Sequence, residues 1–242
     1  MRYKLTIVNL LIVTFTWGQV KSKINMFYPD EWFESIEKPL AKNDVSYFGI
    51  YERVDKSTQS FKALHFQLED TLVDEPAYGL SRVLFIDSVR PLFVVSGIEG
   101  ISNNTEISGV NLNGLGIFPG KSVSYDIGQK SYTVFATGNY LKNAKNEIAL
   151  IIDYKVFIQV VENKRTTKQI LYEANSVSAW SGGGFEGGVT LRWIGDLDNN
   201  NGVDIILTTS SDYRSWDVIL LMTSQLNDKI VSEISRYSGS AP

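Results

Sequence analysis

The sequence predicts an all-β protein, built as an antiparallel β-sandwich or a barrel-like domain. Aromatic residues make up 12% of the chain, and Val, Ile and Thr are frequent beside them, a composition that favours strands. Short segments with a two-residue apolar period alternate with turn-forming residues, which predicts about ten to twelve strands. No long amphipathic helix and no alternation of strands with helices competes with this pattern. We therefore expect one β-rich domain over residues 19–242.

The N-terminus has the three parts of a secretory signal peptide. Arg2 and Lys4 supply positive charge, residues 5–17 form an apolar segment, and small residues stand before Gln19. The alternative is an N-terminal membrane anchor, but this apolar segment is shorter than the roughly 20 residues that a spanning helix needs. We expect residues 1–18 to be removed on export. The mature chain then has no membrane span and is secreted or lies in the periplasm or cell envelope.

Composition excludes several classes of function. The chain has no cysteine, which excludes disulfides, Cys-ligated zinc and thiol nucleophiles. Its formal net charge of −4 becomes more negative when the signal segment is lost. That balance argues against nucleic acid and anionic membranes as partners. The partner that we expect is an unknown protein or glycan at the cell surface.

The first third of the chain contains short predicted strands and one segment with two interpretations. Residues 29–40 fit either a short helix between two prolines or an irregular, aromatic lead-in. Residues 45–54 and 61–68 predict a pair of strands joined by a polar turn. Residues 82–86 and 91–96 are two further short apolar runs. These four runs begin the predicted β domain.

The middle of the chain reads as loops followed by long strands. Residues 97–120 are rich in Gly, Asn and Ser, which predicts loops with little regular structure. Within them, Asn111–Gly114 favours a turn over a metal loop, because it holds no carboxylate. Residues 131–137 predict an alternating strand. In residues 147–161 the apolar positions change parity, which predicts a long strand with a bulge near Asp153.

The last third holds further strands around a glycine-rich segment. Residues 167–172 are expected to return antiparallel to the long strand before them. The glycines at 182–188 form a flexible loop rather than a phosphate site, since no Gly-Lys-Ser/Thr follows and no helix begins there. Residues 216–222 are almost continuously apolar and are expected to be buried on both faces. Three other runs predict strands: residues 189–194, 203–208 and 229–234.

The most specific chemical pattern joins two of these strands. Oxygen donors stand at alternate positions of a nine-residue loop, and they belong to Asp196, Asp198, Asn200, the backbone carbonyl of Gly202, and Asp204. Ca²⁺ takes about six to eight oxygen ligands in such a loop. Glycine and asparagine tolerate the left-handed backbone of a tight wrap, which Gly202 and its neighbour Asn201 would supply. The alternative is an acidic turn held by Asx-type hydrogen bonds without a metal.

The flanks of this loop predict a β-loop-β hairpin over residues 189–208. Val189, Leu191 and Trp193 are expected to share one strand face before the loop. After the loop, one strand face is expected to hold Val203, Ile205 and Leu207. An EF-hand would have Glu at the twelfth position of its loop, where this chain has Leu207.

The loop sequence GDLDNNNGVDIIL resembles the calcium loop of FG-GAP/VCBS-type repeats, and the resemblance extends over about residues 183–226. Its three carboxylates, Asn200 and Ile205 match that family's pattern, whereas Asn201 replaces the usual glycine at the sixth position. The resemblance implies a bound Ca²⁺. It does not imply a propeller, because a propeller needs at least about four blades and the chain has one copy.

Other candidate chemistry is weaker. His65 is the only histidine, and no G-x-S-x-G motif supplies a serine for a triad, so packing or surface exposure explains it best. Trp180, Phe185 and Tyr213 lie near the acidic loop in sequence and fit either a platform that stacks on sugars or ordinary core packing. Carboxylate pairs of glycosidase type stay open, because their separation in space is not given by sequence.

The function that we expect is that of an exported, calcium-binding β protein with a structural or interaction role and no enzymatic activity. The first alternative is a glycan- or peptide-binding module that uses the aromatic surface beside the loop. A secreted hydrolase is the second alternative.

Overall fold

The computed structural model describes nine stretches of the chain: residues 24–27, 45–55, 58–66, 69–75, 79–85, 90–179, 185–210, 215–224 and 229–240. The predicted signal segment 1–18 and the predicted helix or lead-in at 29–40 lie outside these residues. None of the described stretches forms a helix that is long and apolar enough to cross a membrane.

Within the described residues the chain forms sixteen strands rather than the predicted ten to twelve, and no helix. They are β1 (Asn25–Phe27), β2 (Tyr47–Asp55), β3 (Thr58–Phe66), β4 (Glu69–Glu75), β5 (Gly79–Phe85), β6 (Phe93–Ser96), β7 (Glu106–Gly116), β8 (Ser122–Ile127), β9 (Lys130–Lys142), β10 (Ile148–Glu162), β11 (Arg165–Ala179), β12 (Phe185–Glu186), β13 (Gly188–Asp196), β14 (Asp204–Ser210), β15 (Ser215–Thr223) and β16 (Val231–Ser240).

The strands form one large sheet, one smaller sheet and a separate hairpin. Nine strands are arranged in the order β1-β6-β2-β3-β7-β13-β14-β15-β16, and β1 lies against β16 so that the sheet is nearly closed. A five-stranded sheet has the order β12-β11-β10-β9-β8, and β4 pairs only with β5. Every strand pairing is antiparallel. The prediction of an all-β, barrel-like or sandwich fold is confirmed.

Two hydrophobic cores lie on opposite faces of the large sheet. The inner core fills the nearly closed sheet and includes Phe61, Phe93 and Trp193. The inter-sheet core lies between the large sheet and the five-stranded sheet, and includes Tyr154 and Leu207. Because β13, β14 and β15 contribute side chains to both cores, their two faces are buried, which explains their nearly continuous apolar sequences.

The strand β15 confirms the prediction of burial on both faces. Ile219 and Leu221 belong to the inter-sheet core. Val218, Leu220 and Met222 alternate with them and belong to the inner core. Burying an aliphatic side chain of this size contributes about 1.5–3 kcal/mol, so a strand that is buried on both faces is a main source of stability.

The predicted common face of Val189, Leu191 and Trp193 is wrong. Val189 and Leu191 belong to the inter-sheet core, but a bulge between Leu191 and Trp193 turns Trp193 into the inner core. A bulge inserts one residue and so reverses the alternation of faces beyond it. The large ring is accommodated by Gly109 on β7, because a Cβ there would lie 2.4 Å from Trp193 Cζ2.

Residues 97–120 were predicted to be loops, and this is wrong for Glu106–Gly116. They include β7, which is a central strand of the large sheet and pairs with both β3 and β13. Asn113 and Gly114, which were expected to form a turn, lie within this strand. Their positive φ angles of 51° and 73° make its backbone irregular at that point. The sequence also missed β1, β4, β8 and β12, and β12 lies within the glycine-rich segment 182–188 that was predicted to be a loop.

The long strand and its partner were predicted more accurately. The pairing of β10 with β9 shifts register between Ile152 and Lys155, and Asp153 there has a φ of 53°, so the predicted bulge is confirmed. The predicted antiparallel return at 167–172 is confirmed, although the strand β11 is longer at both ends. The last strand, β16, continues to Ser240, beyond its predicted end at residue 234.

Candidate metal centre

The acidic loop, residues 196–204, is held at both ends by buried residues. Asp196 is the last residue of β13 and Asp204 is the first residue of β14. The next residue inward is apolar on each side: Leu197 is fully buried in the inner core and Val203 in the inter-sheet core. The register of the two flanking strands pairs Gly195 with Asp204. The two outermost carboxylates are therefore positioned by strands, and not by a flexible loop.

Within the loop, the asparagine residues and Gly202 have different structural roles. Asn199 and Asn201 have left-handed φ angles of 57° and 61°, which asparagine adopts more readily than most residues. Gly202 does not have a left-handed φ, contrary to the expectation. It is required for space, because a Cβ there would lie 2.1 Å from Thr223 Oγ1 and 2.5 Å from Asn200 Oδ1.

The structure brings the three predicted carboxylates together. One oxygen each of Asp196, Asp198 and Asp204 lies within 4.8 Å of the others. Asp204 is 0% exposed and Asp196 is 5% exposed, whereas Asp198 is half-buried. Asn200 lies beside them, since its Nδ2 donates to Asp198 Oδ2 at 2.8 Å. Oxygen atoms of this kind and spacing suit a hard cation such as Ca²⁺.

Backbone N–H groups also point at these carboxylates. The N–H of Asn200 donates to Asp196 Oδ1 at 3.0 Å, and the N–H of Asn201 donates to Asp196 Oδ2 at 3.0 Å. Leu197 N–H donates to Asp204 Oδ2 at 2.7 Å. These contacts are the Asx-type hydrogen bonds of the metal-free alternative. They orient the carboxylates, but they leave the three negative charges uncompensated.

The electrostatics of the loop reflect the burial of these carboxylates and, to a smaller extent, their closeness to one another. Among the described residues, no Lys, Arg or His nitrogen lies within 4.0 Å of a carboxylate oxygen of these three residues. Burial, with the nearby charge of Asp198 as a smaller cause, raises the pKa of Asp204 to about 7. The pKa of Asp198 is also raised, chiefly by burial. Removing a carboxylate from water disfavours its charged form unless a cation replaces the lost hydration.

Several residues around the loop come from distant segments of the chain, and the sequence did not predict them. Thr223 on β15 donates its backbone N–H to Asp204 Oδ1 at 3.2 Å and its hydroxyl to the carbonyl of Val203 at 2.9 Å. Gly100 approaches the loop so closely that a Cβ there would lie 2.9 Å from the carbonyl oxygen of Asp198. No local sequence signal identifies such neighbours, because only the tertiary fold brings them to the loop.

The aromatic residues that were suggested as a platform are only partly described. Trp180 and Tyr213 lie outside the described residues. Phe185 belongs to the short edge strand β12, where its backbone pairs with Ala179. His65 is exposed on β3, and its ring makes an edge contact with Phe48 at 6.0 Å between centroids. That packing is the ordinary role expected for a single histidine.

No protein-family model, curated protein or solved structure matches this chain. The resemblance of residues 183–226 to FG-GAP/VCBS-type repeats therefore stays a prediction that depends on the loop residues themselves.

Proposed function

We propose that the protein is an exported calcium-binding β protein in which the cation clamps the acidic loop. Asp196, Asp198, Asn200 and Asp204 supply side-chain oxygens to the ion, and Gly202 supplies its backbone carbonyl. Water completes the coordination shell, as in other oxygen-ligated calcium loops. The proposed export depends on the predicted signal segment at the N-terminus.

The observation that carries this proposal is the close approach of three carboxylates without a cationic partner in the described part of the chain. Their oxygens lie within 4.8 Å of one another, and Asp204 is completely buried. Repulsion between like charges and loss of hydration both oppose this arrangement. A divalent cation would offset both effects, whereas the loop hydrogen bonds reduce only the second.

The proposed role of the ion is structural or supports an interaction, and it is not catalytic. The carboxylates already accept N–H groups from the loop that they organise. The loop joins β13 to β14, two strands that are buried on both faces. Stabilising the loop therefore stabilises the centre of the large sheet, which matters in a chain that has no disulfides.

The melting temperature of the protein in excess calcium, in excess magnesium and with a chelator tests this proposal. A ligand at 100 times its Kd adds about 2.7 kcal/mol to the free energy of unfolding, which corresponds to several degrees for a domain of this size. We expect calcium to raise the melting temperature by that amount and magnesium to have little effect. A melting temperature that does not change with any cation would refute the proposal.

Two variants and a control locate the effect. The double substitution Asp196→Ala and Asp204→Ala should abolish the response to calcium. If that variant does not fold, Asp198→Asn is tested instead, since Asp198 is half-buried. It should weaken the calcium response without abolishing it, because it removes one of three negative charges and keeps an oxygen ligand. The matched control is Asp126→Asn, which neutralises an exposed carboxylate on β8 and should leave the calcium response unchanged.

A further inference from the structure

A cleft lies between the large sheet and the five-stranded sheet. Residues of β11 form one wall, and residues of β14, β15 and β16 form the other. Its volume is about 420 Å³, which is within the range of about 300–1,000 Å³ of small-ligand pockets. We call it the edge cleft. It is separate from the acidic loop, because none of the loop carboxylates lines it.

The floor of the edge cleft is apolar. Leu207, Ile219 and Leu221 line it, and each is at most 7% exposed. They lie on adjacent strands, with Leu207 paired to Ile219 across β14 and β15. Leu171 from β11 adds a further apolar side chain on the opposite sheet. The first three side chains are held by packing in the inter-sheet core, and the partly buried Leu171 presents more apolar surface to a ligand.

The rim of the edge cleft is a network of hydrogen-bonding groups centred on Arg236. Its Nε and Nη2 donate to the two oxygens of Glu233 at 2.9 and 2.8 Å, and its Nη1 donates to Asp217. Ser238 donates its hydroxyl to the other oxygen of Asp217. Paired planar groups of this type are well oriented for bidentate hydrogen bonding.

Two further hydroxyl groups complete the polar surface. Thr209 lies directly opposite Asp217 in the sheet and lines the edge cleft with it. Tyr172 from β11 lines the other wall. Burial raises the pKa of the Tyr172 phenol, and the charge of Asp217 raises it further, so the phenol remains a neutral donor near that carboxylate.

The charges of the rim select against ionic ligands. Two carboxylates surround one guanidinium, so the rim has a net negative charge that opposes an anion. A cation would meet Arg236, which already occupies the position between the carboxylates. A neutral ligand with several hydroxyl groups both donates to the carboxylates and accepts from the hydroxyl donors, and it meets no net repulsion.

We propose that the edge cleft binds a neutral saccharide. The C–H face of a sugar ring packs on the apolar floor, and its hydroxyl groups form hydrogen bonds to Asp217, Glu233 and Thr209. This combination of an apolar surface with a few oriented polar groups is general for small-ligand sites. This proposal does not depend on calcium binding at the acidic loop, so it still holds if the loop binds no cation.

An array of neutral oligosaccharides, with sialylated and sulfated oligosaccharides beside them, tests the proposal on the full chain. The strongest neutral ligand is then titrated by calorimetry against the protein and its variants. We expect binding of a neutral saccharide that becomes at least tenfold weaker in Asp217→Asn and in Arg236→Gln. The matched control is Glu173→Gln, which breaks the exposed Lys155–Glu173 ion pair outside the cleft and should keep the original affinity.

If a variant does not fold, NMR chemical-shift mapping of the unsubstituted protein tests the same proposal. In the unsubstituted protein, the same saccharide should shift the Arg236 Nε–Hε resonance and the amide resonances of β15. Four results would each overturn the proposal. They are binding of charged oligosaccharides only, an affinity that Asp217→Asn does not change, chemical shifts confined to residues outside the cleft, and no saccharide binding at all.

Discussion

Two hairpins of this protein reverse the chain by different means. The hairpin β10–β11 joins two strands of 15 residues each through Asn163 and Lys164, which have left-handed φ angles of 49° and 63°. Both residues are exposed. Two consecutive left-handed residues are the conformation of the type I′ turn, which matches the twist of antiparallel strands. This reversal needs only backbone geometry.

The hairpin β13–β14 reverses through the seven residues 197–203, which include Asp198, and the two strand ends that they join supply the carboxylates of Asp196 and Asp204. Its loop begins and ends with buried aspartates, and its N–H groups donate to their oxygens. The loop therefore brings negative charge into the centre of the fold, where the exposed turn of β10–β11 brings none. The comparison indicates that, of these two hairpins, only β13–β14 should depend on a cation and on pH.

The largest effect is expected from filling the space at Gly202. A Gly202→Ala substitution puts a Cβ within 2.5 Å of atoms of Thr223 and Asn200, and such overpacking should lower the free energy of unfolding by about 3 kcal/mol. The control is Gly128→Ala in the β8–β9 turn, where φ is 58° and no atom lies within 4 Å. It should cost only about 1–2 kcal/mol, from backbone strain. Urea denaturation measures both, and equal losses would contradict the steric explanation.

The next effect is a pH dependence of the metal-free protein. Since the pKa of Asp204 is raised from 3.8 to about 7 in the folded chain, the folded state holds a proton that the unfolded state releases. Stability from this group is complete below pH 4 and is lost as the pH rises to about 7, by at most about 1.4 kcal/mol per pH unit. Calcium favours the charged carboxylate, so its stabilising effect should increase over the same range.

Thermal unfolding between pH 5 and pH 7, with a chelator and with calcium, measures this dependence. The lowered pKa of Glu233, caused by hydrogen bonds from Arg236, acts at lower pH and with the opposite sign, so this interval avoids it. The Asp204→Asn variant removes the titrating group and should lose the dependence. A variant that keeps the same slope would assign the pH dependence to another group.

The same comparison explains which parts of the molecule were predictable from sequence. The ligand residues of the acidic loop lie within nine consecutive positions, so their spacing alone predicts that they meet. The strands β14 and β15 were predictable because burial on both faces makes them continuously apolar. The bulge at Asp153 was predictable from a change of parity within one strand. Each of these signals is local in the chain.

The features that sequence missed depend on contacts between distant segments. The strand β7 has the Gly and Asn composition of a loop, yet Gly109 is needed there because the ring of Trp193 occupies the place of a side chain. Tertiary packing therefore overrides local propensity at this strand. Thr223 reaches Asp204 only through the pairing of β14 with β15. Neither relationship is encoded in a short window of sequence.

The smallest effect is expected at the β10–β11 turn. The left-handed conformation of Lys164 costs about 1–2 kcal/mol relative to glycine, and part of this is offset by the greater entropy of glycine in the unfolded chain. Lys164→Gly, which creates the Asn-Gly sequence typical of type I′ turns, should therefore raise the free energy of unfolding by about 0.5–1 kcal/mol. Because this turn carries no buried charge, the gain should be equal with calcium and with a chelator. A gain that appears only in calcium would show that the two hairpins are coupled, and it would contradict the confinement of cation dependence to β13–β14.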